Sequence, residues 1–382
     1  MKWTYTHGLD GQDYPRRTQE ASPVKKIQRP PAEILYKAEL QKLKKQDKGE
    51  KPPGWSLSLK AARAFILGDE ALGIEPKFVG HPSTVDRAMV TLATQRGLIL
   101  VGEPGTAKSL LSELLAAAIS GCSTHTIQGG ASVTEDHIRY SWNYALLVSQ
   151  GPSRESLVPA PVFRAMQSGH IVRFEEITRC PLEVQDTLLS LLSDRVMAIP
   201  ELAGEEGMLF ARPGFNLIAT ANTRDRGVNE MSAALKRRLN FESVFPIPDF
   251  ETEFQLVKRE SGKLLKESGV PQGVPEDMLE VLVTTFRELR TGQTREGVAL
   301  SPFSTVLSTA EAVSVAHSAG VRSWFLRGEA VNAEDIVHGL DGAATKDDPE
   351  DRKRLRAYLE QTVKKRREAS WTAFYEARHH LS

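Results

Sequence analysis

Leu98–Ala118 reads LILVGEPGTAKSLLSELLAAA, and its three parts decide the fold. Leu98–Val101 is apolar and long enough for one buried strand. Gly102–Ser109, GEPGTAKS, is a glycine-containing loop that ends in Lys-Ser. From Ser109 onward, Leu110, Leu111, Leu114, Leu115 and Ile119 recur at helical spacing. Strand, glycine loop, Lys-Ser and helix in this order are the context of a phosphate-binding P-loop. Gly102 and Gly105 let the backbone approach phosphate oxygens and keep side chains off its N–H groups. The helix N-terminus adds partial positive charge at the same place. Gly102, Glu103, Pro104, Gly105, Thr106, Ala107, Lys108, Ser109 and Leu110 are therefore the expected ATP contacts. Lys108 is placed against the β- and γ-phosphates, and Ser109 on Mg²⁺. Ala107 stands where glycine is usual. Alanine tolerates a helical first turn, so the loop is read as a variant of the same motif.

The rest of the composition sets bounds. A chain of 382 residues holds roughly two to three domains. With 49 basic and 49 acidic residues, net charge gives no global case for nucleic-acid or membrane binding. Cys122 and Cys180 are the only cysteines and show no CxxC spacing, so neither a disulfide framework nor a zinc site is expected. MKWTYTHGLDGQDYPRR has no apolar core of a signal peptide, and no apolar run reaches about 18 residues. A cytoplasmic protein is the expectation.

Four stretches follow along the chain. Residues 1–56 read as an extension, partly disordered, with an extended proline-bearing arm over Met1–Pro31. Within it Pro31–Lys48 suits a helix with Ile34, Leu35, Leu40 and Leu43 on one side. Residues 57–248 alternate strands and helices, which predicts an α/β fold: a parallel sheet flanked by helices. Ser83 is the expected N-cap of the helix Ser83–Arg96. Residues 249–340 turn to helix after helix, a small all-helical domain. Residues 341–382 read as a linker, Asp341–Asp351, and one basic amphipathic helix from Arg352 to His380.

In parallel sheets ligands sit at the carboxyl ends of strands. Three groups follow such strands: the phosphate loop, Glu175-Glu176 after IVRF, and Asn222 after FNLIATA. Glu175 is assigned to orient Mg²⁺. Glu176 is assigned as general base for the attacking water. Glu at the first position is one methylene longer than the usual Asp. Asn222 can orient water against the γ-phosphate, ahead of a turn at Thr223-Arg224-Asp225. Arg237 and Arg238, in AALKRRLNFE, suit a finger offered to a neighbouring subunit.

GEPGTAKS, RFEEITRCPLEVQDTLLSLLSDR, FNLIATANTRD and AALKRRLNF occur in the order and rough spacing of the AAA+ ATPases. Together they most resemble the MoxR family, in which alanine before the lysine is frequent. FVGH and VPAPVF are similar to further segments of that family, and the resemblance covers roughly Phe78–Leu340. It implies an ATPase core, a helical lid and ring assembly, commonly hexameric. It implies an insertion at about Gln128–Gly151 and a hairpin at about Arg195–Pro213. Asn222 matches the family's first sensor and Arg238 its arginine finger, with Arg237 in reserve. The family's lid arginine falls in a segment like SPR. Here Ser301-Pro302-Phe303 stands there, and Arg295 is the nearest substitute. The implied partners are a protein client or a von Willebrand A-domain protein.

The resulting expectation is Mg²⁺-dependent ATP hydrolysis in a homo-oligomeric ring that remodels a protein. Two alternatives stand beside it. One is a nucleotide-gated scaffold with little hydrolysis. The other is a DNA-stimulated motor, which rests only on the basic runs Lys37–Lys51 and Arg352–Arg367 and is weighed against by neutral net charge.

Overall fold

Five short apolar runs build one parallel sheet: β1 (Gly97–Gly102), β2 (Thr126–Gln128), β3 (Ile171–Glu175), β4 (Asn216–Asn222) and β5 (Leu239–Ser243). Their order is β5-β1-β4-β3-β2, all parallel. This is a computed structural model describing residues 3–7, 13–17, 27–222, 230–301, 303–304, 306–346 and 348–381. Parts of the N-terminal arm, the Thr223-Arg224-Asp225 turn and Pro302 lie outside them.

Successive side chains of a strand face opposite ways, so each strand feeds two layers. Leu98, Leu100 and Ile218 pack with Leu111, Leu114 and Leu115 of helix α1 (Lys108–Ser120). Ile99, Val172, Phe174, Leu217 and Ala219 pack on the other face with Leu188 and Leu191. Each of these Leu, Ile, Val and Phe side chains, fully buried, contributes roughly 1.5–3 kcal/mol. The sheet therefore needs helices on both faces, as the alternating sequence predicts.

The N-terminal extension differs from its reading. Trp3–His7 pairs antiparallel with Asp13–Arg17. The helix expected over Pro31–Lys48 is two, Ala32–Leu35 and Lys37–Gln46, with the break at Tyr36. Ile34 and Leu35 are exposed, while Ala32 and Leu43 are buried in the α1 layer. Ala32 N–H donates to Glu113 Oε1 of α1 at 3.0 Å. His81, and not Ser83, caps the helix Pro82–Leu92.

The insertion expected near Gln128–Gly151 carries strand Tyr140–Trp142 and helix Tyr144–Gln150, with Tyr144 and Val148 exposed. The hairpin expected near Arg195–Pro213 is Val196–Ala198 with Met208–Phe210.

Beyond the sheet come α2 (Phe250–Glu267), α3 (Glu276–Thr291), α4 (Thr309–Arg322) and α5 (Ala333–Leu340). The linker and the single C-terminal helix of the sequence reading are not found. Asp341–Thr345 continues α5 as a π-turn. Asp351 is buried and accepts from Ser304 N–H at 2.9 Å, which ties the supposed linker to the lid. The basic helix is broken into α6 (Pro349–Gln361) and α7 (Ala369–Glu376). Arg366, between them, is buried against Glu288 and Glu296, and this anchor turns the chain back. Leu355, Tyr358, Trp371 and Phe374 then enter one core with Val257, Phe286 and Ile336. No helix among the described residues is long and apolar enough to cross a membrane.

Candidate nucleotide site

β1 delivers the phosphate loop at its carboxyl end, and Asn222 at the end of β4 lies opposite Gly102 in register. The cleft between sheet edge and lid is a cavity of about 880 Å³. Pro104–Leu110, Glu176, Thr220 and Asn222 line one side, and Thr309, Ala310, Val313 and Ser314 of α4 line the other.

Two glycines are required here by close approach. A Cβ on Gly102 would lie 2.3 Å from the Val244 carbonyl oxygen, and one on Gly105 (φ 75°) would lie 2.1 Å from Ser308 Cβ. Ala107 holds the left-handed conformation, φ 64°, ψ 26°, just before α1. The expectation of a helical first turn is thus corrected: Ala107 occupies a glycine-type conformation and carries its cost, about 1–2 kcal/mol.

Lys108 is buried, and its Nζ donates to the carbonyls of Glu103 at 2.7 Å and Gly102 at 3.1 Å. Those bonds hold the ammonium over the loop.

Glu175 ends β3 inside the protein. One carboxylate oxygen accepts from Ser109 Oγ at 2.7 Å and Thr220 Oγ1 at 2.8 Å. The other accepts from Ser112 Oγ and Arg173 Nη2, both at 2.7 Å. Burial pushes the pKa up, but Arg173 and the three hydroxyls outweigh it and hold the group below the ordinary carboxylate value. Glu175 is therefore charged and touches the proposed metal ligand Ser109 from behind. The extra methylene is absorbed by this ring of hydroxyls.

Glu176 takes a left-handed conformation, φ 54°. That turn swings its carboxylate out into the cavity, where Arg179 Nε lies 2.8 Å away. Its N–H donates to Thr220 Oγ1 at 2.9 Å. Thr220 thus joins the Glu175 carboxylate to the Glu176 backbone through one hydroxyl.

Arg238 does not reach this cavity. It donates to Ser193 Oγ and, at 2.9 Å, to the Ala234 carbonyl, while Arg237 is exposed. Phe303 packs on the lid core, and Arg295 pairs with Glu296 and Glu368 over the Trp371 ring. Neither lines the cavity. Among the described residues the lid supplies one cation to it, Lys263.

Sequence reasoning missed a wall of the site. Tyr36 and Glu39 of the N-terminal helices line the cavity beside Lys77. Lys77 Nζ donates to Glu39 at 2.5 Å and sits 4.9 Å from the Tyr36 ring centre. Burial lowers the Lys77 pKa, opposed by Glu39. Arg173 was also unassigned, although a cation inside an apolar strand needs a buried partner.

A carboxylate-backed serine, a lysine over a glycine loop and a helix N-terminus suit a nucleotide triphosphate with a divalent cation. Comparison with known proteins agrees. The AAA domain of the dynein-related subfamily matches residues 97–239, and the YehL-like AAA+ ATPase C-terminal domain matches residues 251–382. The class is an AAA+ ATPase of the MoxR type. Within it, the chain belongs to the YehL family. It is 62% identical over 355 residues to YehL of Escherichia coli K12, covering 93% of this chain and 98% of that one. It is 26% identical over 212 residues to Chaperone MoxR1 of Mycobacterium tuberculosis, covering 55% of this chain and 52% of that one. A solved structure of NtrX from Brucella abortus in complex with ADP aligns at 15% identity and TM-score 0.47, covering 68% of this chain and 54% of that one.

Proposed function

We propose that this ATPase works as a homo-oligomeric ring, hexameric by family habit, that uses Mg²⁺-dependent ATP hydrolysis to remodel a protein client. The observation that carries the reading is the linked set Ser109–Glu175–Thr220–Glu176, which joins the phosphate loop to the Glu175 carboxylate and to the Glu176 backbone through hydrogen bonds of 2.7–2.9 Å.

In this reading the loop N–H groups and Lys108 hold the β- and γ-phosphates. Ser109 ligates Mg²⁺, with Glu175 orienting the serine. When bound there, Mg²⁺ would supply charge neutralisation at the phosphoryl oxygens. Glu176 takes the proton from the attacking water, and Asn222 orients that water. Arg238 sits outside its own cavity, which suits a finger reaching a neighbouring copy's γ-phosphate. The name Chaperone MoxR1 of the 26% relative supports a protein client, and a von Willebrand A-domain protein is the partner the resemblance suggests.

The test is Glu176→Gln. Turnover is expected to fall about 10²- to 10⁴-fold while ATP stays bound. Equal turnover in both proteins sinks the base assignment. Arg238→Ala subunits should regain activity when mixed with Glu176→Gln subunits, and absence of rescue rejects a trans finger. Affinity capture with ATP-loaded Glu176→Gln should retain a protein; recovery of nucleic acid instead points to a motor. A second reading, a nucleotide-gated scaffold, is favoured by the lid wall, where Ala310 and Val313 face the cavity and Lys263 is its cation. Stoichiometric ATP binding without wild-type turnover selects it.

A further inference from the structure

At the opposite end of the sheet, Cys122, His125 and His170 come together. Cys122 follows the C-cap of α1, His125 precedes β2, and His170 precedes β3. Their donor atoms all lie within 4.8 Å of one another. His125 Nε2 and His170 Nδ1 are 3.2 Å apart. Two nitrogens on a tetrahedral ion with bonds of about 2.05 Å are separated by about 3.3 Å. The two rings, now sharing a hydrogen bond, are thus already at the spacing of neighbouring ligands.

We propose that Cys122, His125 and His170 bind a borderline-soft divalent cation of the Zn²⁺ class. The ligand set is one sulfur and two imidazoles with a fourth position left for water, the donor chemistry such ions take. On binding, the Cys122 thiol gives up its proton to solvent and becomes the thiolate ligand.

The backbones that carry the ligands are fixed. Ser120 Oγ accepts from Ile171 N–H at 2.7 Å, tying the segment before Cys122 to the residue after His170. Glu33 accepts from Ser123 N–H at 3.1 Å and Ser123 Oγ at 2.6 Å, so a carboxylate stands one residue from the thiol. Its charge opposes that of Arg164, which also faces His125. All three residues are only half-buried, which leaves a path for the ion.

The site is distinct from the nucleotide cavity. His170 and Glu175 stand at the two ends of β3, roughly 16 Å apart for five residues of strand. The absence of CxxC spacing hid it, because the third ligand arrives from 45 residues away.

The test is a Co²⁺ titration of the full chain, without nucleotide or Mg²⁺. One Co²⁺ per chain should bind with tetrahedral ligand-field bands and a thiolate-to-Co²⁺ charge-transfer band. Zn²⁺ should bleach both and protect Cys122 from alkylation. Cys122→Ser should remove the charge-transfer band, and His170→Ala should weaken binding at least about tenfold. The wild-type spectrum needs no variant to fold. Absence of a charge-transfer band in folded wild type overturns the proposal, as does a band that survives Cys122→Ser. Co²⁺ uptake without that band, as His338 and His380 beside Glu334 would give, overturns it too.

Discussion

The ATPase core and the lid with its C-terminal segment both bury charged side chains, but they use them differently. In the core the buried charges converge on the phosphate loop: Lys108 over it, and Glu175 behind Ser109. In the lid they are spent on one another. Glu253 is fully buried and accepts from Arg287 at 2.9 Å, Arg290 at 2.7 Å and Thr309 at 2.6 Å. Glu288 accepts from Tyr358 at 2.7 Å and Arg366 at 2.5 Å. Asp335 accepts from Arg322 at 2.7 Å and Arg327 at 2.6 Å. The difference teaches what each charge is for. Core charges gather at the phosphate loop, and lid charges fasten helices that also share a core of large side chains, Phe286, Trp371 and Phe374 among them.

Crossed variants test that division. Arg366→Ala leaves the Glu288 carboxylate buried without its cation, and should cost about 3–5 kcal/mol in urea unfolding of the C-terminal region. Its ATP affinity should stay near wild type. Lys108→Ala should do the reverse: ATP affinity falls about 100-fold, while stability without nucleotide moves by no more than about 1 kcal/mol. Equal effects of both variants on both readouts would erase the distinction.

Ala107→Gly sharpens it at smaller scale. Relief of the left-handed alanine, about 1–2 kcal/mol, is partly offset by the freer unfolded glycine, about 0.4–1 kcal/mol. A net gain of about 0–1.6 kcal/mol in thermal unfolding is expected. A loss would mean that the methyl group is held by packing.

The smallest effect is acid sensitivity of the lid clasp. Burial raises the Glu296 pKa, but Arg366, Thr294 and Arg295 pull it down to about 2. The folded value lies below the unfolded 4.5, so its contribution is complete above pH 4.5 and fades as pH falls through about 2. Glu296→Gln should flatten the decline of the unfolding midpoint over that window. An unchanged slope would remove Glu296 from the clasp.

Much of the core was legible because nucleotide chemistry demands particular residues in short consecutive runs. GEPGTAKS, the Glu175-Glu176 pair and Asn222 are each readable within ten residues, and the sheet brings all three to one edge. What escaped depends on distant segments meeting. Tyr36 and Glu39 join the cavity wall through Lys77, 38 residues beyond Glu39. Ala107 was legible as a residue but not as a conformation, since φ is not written in a side chain. The C-terminal periodicity continued through Arg366, and only a buried partner, Glu288, reveals that the chain turns there. Arg173 does leave a signal in the sequence, a lone cation in an apolar strand, whose buried partner is Glu175.

The contact of Gly105 with Ser308 has a mechanical consequence. Ser308 caps α4, and Thr309 beside it is tethered to Glu253. The phosphate loop and the lid thus abut with no room for even one methyl group. A tilt of the lid toward the loop therefore meets the loop backbone at this point, beside the helices that Glu253 holds.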